Sequence, residues 1–328
     1  MPPEAETESD QACQAAAAAA LAMCCAGDVE GGLARYQAVL GASAASHAVP
    51  IGLHARILEA HGLVPLANTL RQIGASVGAD LSLARLMDAP AQRAVDEYRE
   101  LFACGHVNAQ MVANFLRRLD ELGQIEELTA RLDADGLIRV VSLPDDGRWS
   151  AIGELLASGT DGVVWQEAVQ SVRKMHFVGG LHAHPHSLIR DLMAALGREI
   201  ETYLAAWRRS ERWTAPWIPR RPALNAWATL SRGEGYTTPH LHPRGWVTGV
   251  CFIAAPAHGR TDADAPGALR IGAPAGARHA AAWPDRTIAA EPGVLVLMPS
   301  YFTHWTNPVG APGLRIAVAV DVSEAVAA

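Results

Sequence analysis

The stretch TTPHLHPRGWVTGVCFIAAP, residues 237–256, decides the reading of this chain. Side chains two apart in a strand point to the same face, so His240 and His242 project together. They stand just ahead of an apolar run that can anchor them as a buried strand. From Leu224 onward the same texture recurs: WVTGVCFIAA, GALRIGA, GVLVLMP and LRIAVAVDV are short apolar runs separated by Gly/Pro turns. Short strands with regular turn signals predict a barrel or sandwich of the jelly-roll kind. The segment GVLVLMPSYFTHW (293–305) puts His304 beyond the end of another buried strand, after a Pro-Ser turn, and Arg315 opens the run LRIAVAVDV.

Three histidines on such a scaffold suit a metal site that keeps coordination positions open. Imidazole is a good ligand for Fe(II), and a three-residue face leaves room for co-substrate and dioxygen. A buried arginine can grip the far end of a dicarboxylate in a bidentate way, which lysine cannot. Trp227, Trp246 and Trp305 flank the proposed ligands and either wall a substrate pocket or pack in the core. HAHPHS offers a competing trio, His182, His184 and His186. Pro185 and Ser187 stand just before a long helical stretch, so this segment reads as a loop and helix cap. Lining a substrate entrance suits it better than a second metal site.

The run N-A-W…G-Y-T-T-P-H-L-H-P…V-T-G-V-C-F-I, followed by G-V-L-V-L-M-P-S…T-H…R-I-A-V-A-V, resembles the 2-oxoglutarate- and Fe(II)-dependent oxygenase superfamily. It is most similar to bacterial and phage-type members with an H-x-H-P segment. The resemblance covers about residues 135–323 and is most specific at 225–256 and 291–321. It implies a double-stranded β-helix with N-terminal helices packed on one sheet. It implies Fe(II) and 2-oxoglutarate as cofactors and dioxygen as co-substrate, with His240 and His304 as ligands and Arg315 on the distal carboxylate. Asn225 and Thr248 fall where polar pocket groups are expected. The commonest superfamily pattern is H-x-D/E, and here His242 occupies the acid's place. Three readings stand open: His242 ligates in a three-histidine site, it sits behind two ligating histidines plus water, or the metal has been lost.

Outward from this core, the 328 residues carry a net charge of −7 and no dense Lys/Arg cluster, which argues against nucleic acid as a partner. No stretch reaches the ~20 apolar residues that span a bilayer. Five scattered cysteines (Cys13, Cys24, Cys25, Cys104, Cys251) lack C-x-x-C spacing, and the acidic start MPPEAETESD is unlike a secretory leader. Together these predict reduced thiols and a cytoplasmic setting.

All nine tryptophans lie at or after Trp149. Ahead of them, segments near 11–25, 30–41, 50–62, 65–75, 93–104, 107–122 and 125–133 carry apolar residues at helical spacing. Gly27 and Gly62 each end one helix and precede another, as in degenerate tetratricopeptide-type repeats. An irregular helical bundle is the plainer alternative. Stacked helix pairs would offer a concave surface to a peptide, protein or carrier-bound substrate, or a contact with a second copy.

The expected organisation is therefore α+β: a helical, tetratricopeptide-like domain over 1–135 and a jelly-roll oxygenase domain with flanking helices over 136–328. The expected activity is hydroxylation of a C–H bond. Two alternatives come from other classes: a three-histidine, cupin-type dioxygenase that needs no 2-oxoglutarate, and a non-catalytic helical-repeat module carrying an inactive jelly roll.

Overall fold

The computed structural model describes residues 8–42, 51–76, 89–105, 107–158, 171–243, 245–256 and 262–325. The chain forms two compact units, Met1–Val107 and Asn108–Ala328.

The first unit is helical: Glu8–Cys25, Val29–Ala42, Ile51–Ala60, Val64–Ser76 and Ala91–Ala103. The first helix pairs with the second, and the third with the fourth. Both hairpins turn on a glycine. Gly27 and Gly62 sit at φ +98° and +78°, where a side chain would be strained. In each case the next residue's N–H returns to the helix, Asp28 to the Met23 carbonyl at 3.0 Å and Leu63 to the Leu58 carbonyl at 2.8 Å. That is the hydrogen-bond pattern by which a left-handed glycine closes a helix. Tyr36, Ile51, Leu58, Leu70, Tyr98 and Leu101 fill the core.

The second unit begins earlier than the expected division after residue 135. It takes in the helices Ala109–Glu121 and Ile125–Leu132, whose pattern alone assigned them to the helical domain. The reason lies in long-range contacts that local periodicity does not reveal. Phe115 packs on Trp213 with ring centroids 5.9 Å apart, and the Trp213 indole donates to the Arg131 carbonyl at 3.0 Å. The buried Asp120 carboxylate accepts the backbone N–H groups of Arg278 (2.6 Å) and His279 (2.9 Å).

Among the described residues nine strands follow: β1 (Arg139–Ser142), β2 (Val172–Val178), β3 (Pro222–His240), β4 (Val247–Ala254), β5 (Leu269–Ile271), β6 (Arg286–Ile288), β7 (Val294–Pro299), β8 (His304–Thr306) and β9 (Gly310–Glu324). They pair antiparallel in the order β1-β7-β4-β9-β3-β8-β5-β6, with β2 on β3. This is a curled sheet of the jelly-roll type, as expected. β7 is buried along its whole length, and β4 at every residue but its last, so both read as continuous apolar runs rather than alternating ones.

The helix Ser187–Arg208 buries Ile189, Leu192, Leu196, Ile200, Tyr203 and Trp207, a three-to-four spacing that makes one apolar stripe against the sheet. Its cap is His186 rather than Ser187: the imidazole Nδ1 accepts the Leu188 N–H at 3.3 Å. Among the described residues, no helix is long and apolar enough to cross a membrane.

Candidate metal centre

The antiparallel register of β3 and β8 makes His240 and His304 direct cross-strand partners, so their side chains share a face. His242 lies two residues beyond His240, just past the end of β3. Its backbone N–H is docked on the Ser300 carbonyl at 3.0 Å, in the turn between β7 and β8. The three rings meet. Centroid separations are 4.4 Å for His240–His304, 5.0 Å for His242–His304 and 5.2 Å for His240–His242. One nitrogen from each ring lies within 4.8 Å of the others, the one such group of three metal-ligating side chains among the described residues.

The tautomers are set by what the other nitrogens do. His240 Nδ1 lies 2.7 Å from the Thr238 carbonyl, and His304 Nδ1 lies 3.0 Å from the Phe302 carbonyl. His242 Nδ1 lies 2.5 Å from Asp321 Oδ1. A carbonyl or carboxylate oxygen only accepts, so each Nδ1 carries the hydrogen and each Nε2 keeps a lone pair. An Nδ1–H held by an oxygen is the arrangement that orients a metal-binding imidazole. Burial, reinforced by the neighbouring imidazoles, keeps two of the rings neutral: His240 is pushed down to about 4 and His304 well below the usual histidine range. Neutral imidazole is the ligating form. The donor set therefore fits a divalent ion of the iron, zinc or nickel kind.

Arg315 enters from the neighbouring strand. It is 2% exposed, with its guanidinium 5.4 Å from the centre of the Phe252 ring. Its Nε and Nη1 find no acceptor among the described residues. Burial lowers its pKa from 12.5 to about 10. Opposite it in register stands Ser231, fully buried, whose hydroxyl also has no partner among the described residues. Cross-strand partners share a face. That face continues as Trp227 and Thr229 on β3 and as Ala317, Ala319 and Asp321 on β9. Two of these positions, Ala317 and Ala319, carry only a methyl side chain. The close approach of Gly267, where a Cβ would come within 3.0 Å of Arg315 Cδ, holds the arginine stem from the other side.

The remaining sequence-predicted residues fall in different places. Trp227 stacks on His242 at 5.7 Å, and the exposed Phe177 stacks on Trp227 at 6.2 Å, so Trp227 does border the histidines. Trp305 does not. Adjacent strand residues point to opposite faces, and Trp305 turns away from His304 to pack against Gly272 and under Arg270, 5.4 Å from its guanidinium carbon. Trp246 makes backbone bonds with Val322 and Ser300, and no ring contact to the histidines is seen among the described residues. Asn225 is exposed, in register with Asp321 at the rim. Thr248 is buried and bonds to Asp321 Oδ1 (3.3 Å) and to the Ser300 hydroxyl (2.9 Å), supporting the site from behind. In HAHPHS each Nδ1 is taken by a backbone N–H: Ala226 on His182, His186 on His184 and Leu188 on His186. That trio is a loop and cap.

Sequence reasoning missed Ser231 and Asp321. A signal for Asp321 was present: counting by twos from Arg315 along the LRIAVAVDV run lands on Asp321, so strand parity places the acid on the arginine's face.

Residues 225–321 match the family model described as "Putative 2OG-Fe(II) oxygenase". The matched segment holds all three histidines, Ser231, Arg315 and Asp321. Among solved structures, the chain is similar to a prolyl-4-hydroxylase from Pseudomonas putida, at 13% identity and TM-score 0.41 over 62% of this chain and 100% of that one. It is also similar to a prolyl hydroxylase from Trichoplax adhaerens in complex with a hypoxia-inducible-factor peptide fragment (12%, TM-score 0.42, 62% and 92%). A third is HygX from Streptomyces hygroscopicus with nickel, 2-oxoglutarate and hygromycin B bound (10%, TM-score 0.35, 58% and 84%). No curated protein matches the chain.

Proposed function

We propose that this chain is a non-haem Fe(II)- and 2-oxoglutarate-dependent oxygenase that hydroxylates a C–H bond of a peptide, amino-acid-derived or carrier-bound substrate. The observation that carries the reading is the shared tautomer of His240, His242 and His304. All three commit Nδ1–H to an oxygen and leave Nε2 free on one side. This favours the three-histidine reading of His242 over the one with two ligating histidines.

Arg315 would hold the distal carboxylate of 2-oxoglutarate, with the Ser231 hydroxyl as a further donor. Two unpartnered guanidinium nitrogens and a hydroxyl buried on one face are costly unless an anion completes them. When bound, Fe(II) and 2-oxoglutarate supply the oxidising chemistry with dioxygen. The chain's part is to keep His240 and His304 neutral, to orient the three imidazoles through Thr238, Phe302 and Asp321, and to present substrate beside Trp227. A cupin-type site without 2-oxoglutarate would leave the unpaired Arg315 without a purpose.

The test is anaerobic titration with Fe(II), followed by succinate release with 2-oxoglutarate and oxygen. One ion per chain is expected, lost in His304→Ala, with succinate formation lost in Arg315→Leu. Undiminished succinate release from Arg315→Leu would refute the assignment. The same release from an iron-free His304→Ala protein would refute the metal site.

A further inference from the structure

We propose that Asp321 provides, from behind His242, the negative charge that an H-x-acid site would place directly on the metal. This rests on the three-histidine reading above. The substitution of histidine for the acid at position 242 removes one anion from the ligand set. The structure returns one at the far side of the same residue.

Asp321 Oδ1 takes the His242 Nδ1–H at 2.5 Å. The same oxygen accepts from Thr248 Oγ1 at 3.3 Å, and Thr248 is in turn braced by Ser300 Oγ at 2.9 Å. Position 245 beside it is glycine, where an added Cβ would meet Ser300 Oγ at 2.9 Å and Asp321 Cβ at 3.5 Å, so the backbone closes on this network. Among the described residues no lysine or arginine forms an ion pair with Asp321. Its side-chain hydrogen bonds there come from His242 and Thr248.

His240 and His304 are held instead by neutral backbone carbonyls. The ligand that replaces the acid is thus the one backed by a carboxylate. Two neutral imidazoles with one direct carboxylate, and three imidazoles with one carboxylate behind, both lower the site's charge by one. A carboxylate hydrogen-bonded to a ligating imidazole also makes that imidazole more basic toward the metal. Asp321 is accordingly a positioning and charge-setting residue, not a ligand.

Asp321→Asn keeps size and a hydrogen-bond acceptor while removing the charge. Anaerobic titration of the full chain with Fe(II) should show affinity reduced by ~10- to 100-fold, the usual effect of losing such a partner. The Fe(III)/Fe(II) midpoint potential should move positive, since the anion favours the more highly charged ion. Thr248→Val, which leaves the carboxylate in place, should move the potential much less. If Asp321→Asn does not fold, Asp321→Ser removes the same charge in less volume and is read identically. Wild-type affinity and potential in the charge-neutral variant would overturn the proposal. His304→Ala separates the two levels. If it still binds Fe(II), the metal site is misassigned; if it loses iron while Asp321→Asn behaves as wild type, only the role of Asp321 fails.

Discussion

Replacing Arg315 by methionine should stabilise the protein and disable it at once. Arg315 is 2% exposed, and two of its guanidinium nitrogens have no acceptor among the described residues. Burial lowers its pKa from 12.5 to about 10. At 1.36 kcal/mol per unit, that shift corresponds to about 3 kcal/mol of unfavourable desolvation of the charged form. Methionine keeps most of the stem's packing against Phe252 and removes the cost. Part of the gain is lost to imperfect filling, so a net stabilisation of ~1–3 kcal/mol is expected, in line with other buried charges replaced by apolar groups. For a unit of this size the melting temperature should rise by ~2–4 °C per kcal/mol. The measurement is differential scanning fluorimetry of wild type and Arg315→Met, with and without 2-oxoglutarate under anaerobic Fe(II). Wild type should gain ~2.7 kcal/mol when the ligand stands at a hundred times its Kd, whereas the variant should gain almost nothing. The reasoning is refuted if the variant melts lower than wild type and still responds fully to 2-oxoglutarate. That pair of results would mean a structural arginine with partners of its own.

Three further outcomes follow from the fold. A fragment comprising 108–328 should fold and retain Fe(II) binding, whereas 136–328, cut at the boundary that composition suggested, should be recovered aggregated. Circular dichroism and size-exclusion chromatography of the two fragments decide this. Asp120→Ala should cost ~2–3 kcal/mol in chemical denaturation of the second unit, because a buried carboxylate holding the Arg278 and His279 N–H groups leaves both donors unpaired when removed. A value under ~0.5 kcal/mol, the range of an ordinary surface substitution, would count against it. In the first unit, His54 is buried and its Nδ1 lies 2.7 Å from the Tyr36 hydroxyl. Burial, with help from the Arg93 charge, pushes its pKa from 6.5 down to about 4. The unfolded chain therefore binds the extra proton first as pH falls. Stability is full above pH ~6.5 and declines by about 3 kcal/mol as pH falls to ~4. Thermal melts across that window should lose most of this slope in a His54→Phe, Tyr36→Phe double variant.

How much of this was legible in the sequence depends on the range of the interaction behind each feature. The helices of the first unit follow local apolar spacing, and Gly27 and Gly62 mark its hairpins because only glycine is comfortable at their positive φ. The Ser187–Arg208 helix follows likewise from its stripe. The division into compact units follows a different kind of contact. Nothing local to Phe115 or Asp120 says that their partners are Trp213 and the loop at 278–279, so helical texture alone groups those segments with the helices before them. Trp305 lies away from the histidines for a different reason. It lies next to His304 in sequence, and adjacency in a strand means opposite faces.

Strand parity, applied consistently, would have recovered more of the site than residue type did. It keeps Arg315 and Asp321 together and separates Trp305 from His304, and both statements need only counting by twos. What it cannot give is register, because register is fixed by pairing across distant segments. The match of His240 with His304, of Ser231 with Arg315 and of Asn225 with Asp321 exists only once β3 lies against β8 and β9. A slip of one residue between β3 and β9 would move Arg315 off Ser231 and carry Asp321 away from His242. The largely unbroken apolar runs of β4 and β7 likewise carry no alternation to fix their own mutual register. The fixed points are instead the ends of the strands, where the His242 N–H docks on the Ser300 carbonyl and where Gly245 admits no side chain beside Ser300 and Asp321. The same short segment that presents the metal ligands therefore also sets the register that brings them together. For that reason a substitution at Gly245 should disturb metal binding as well as stability.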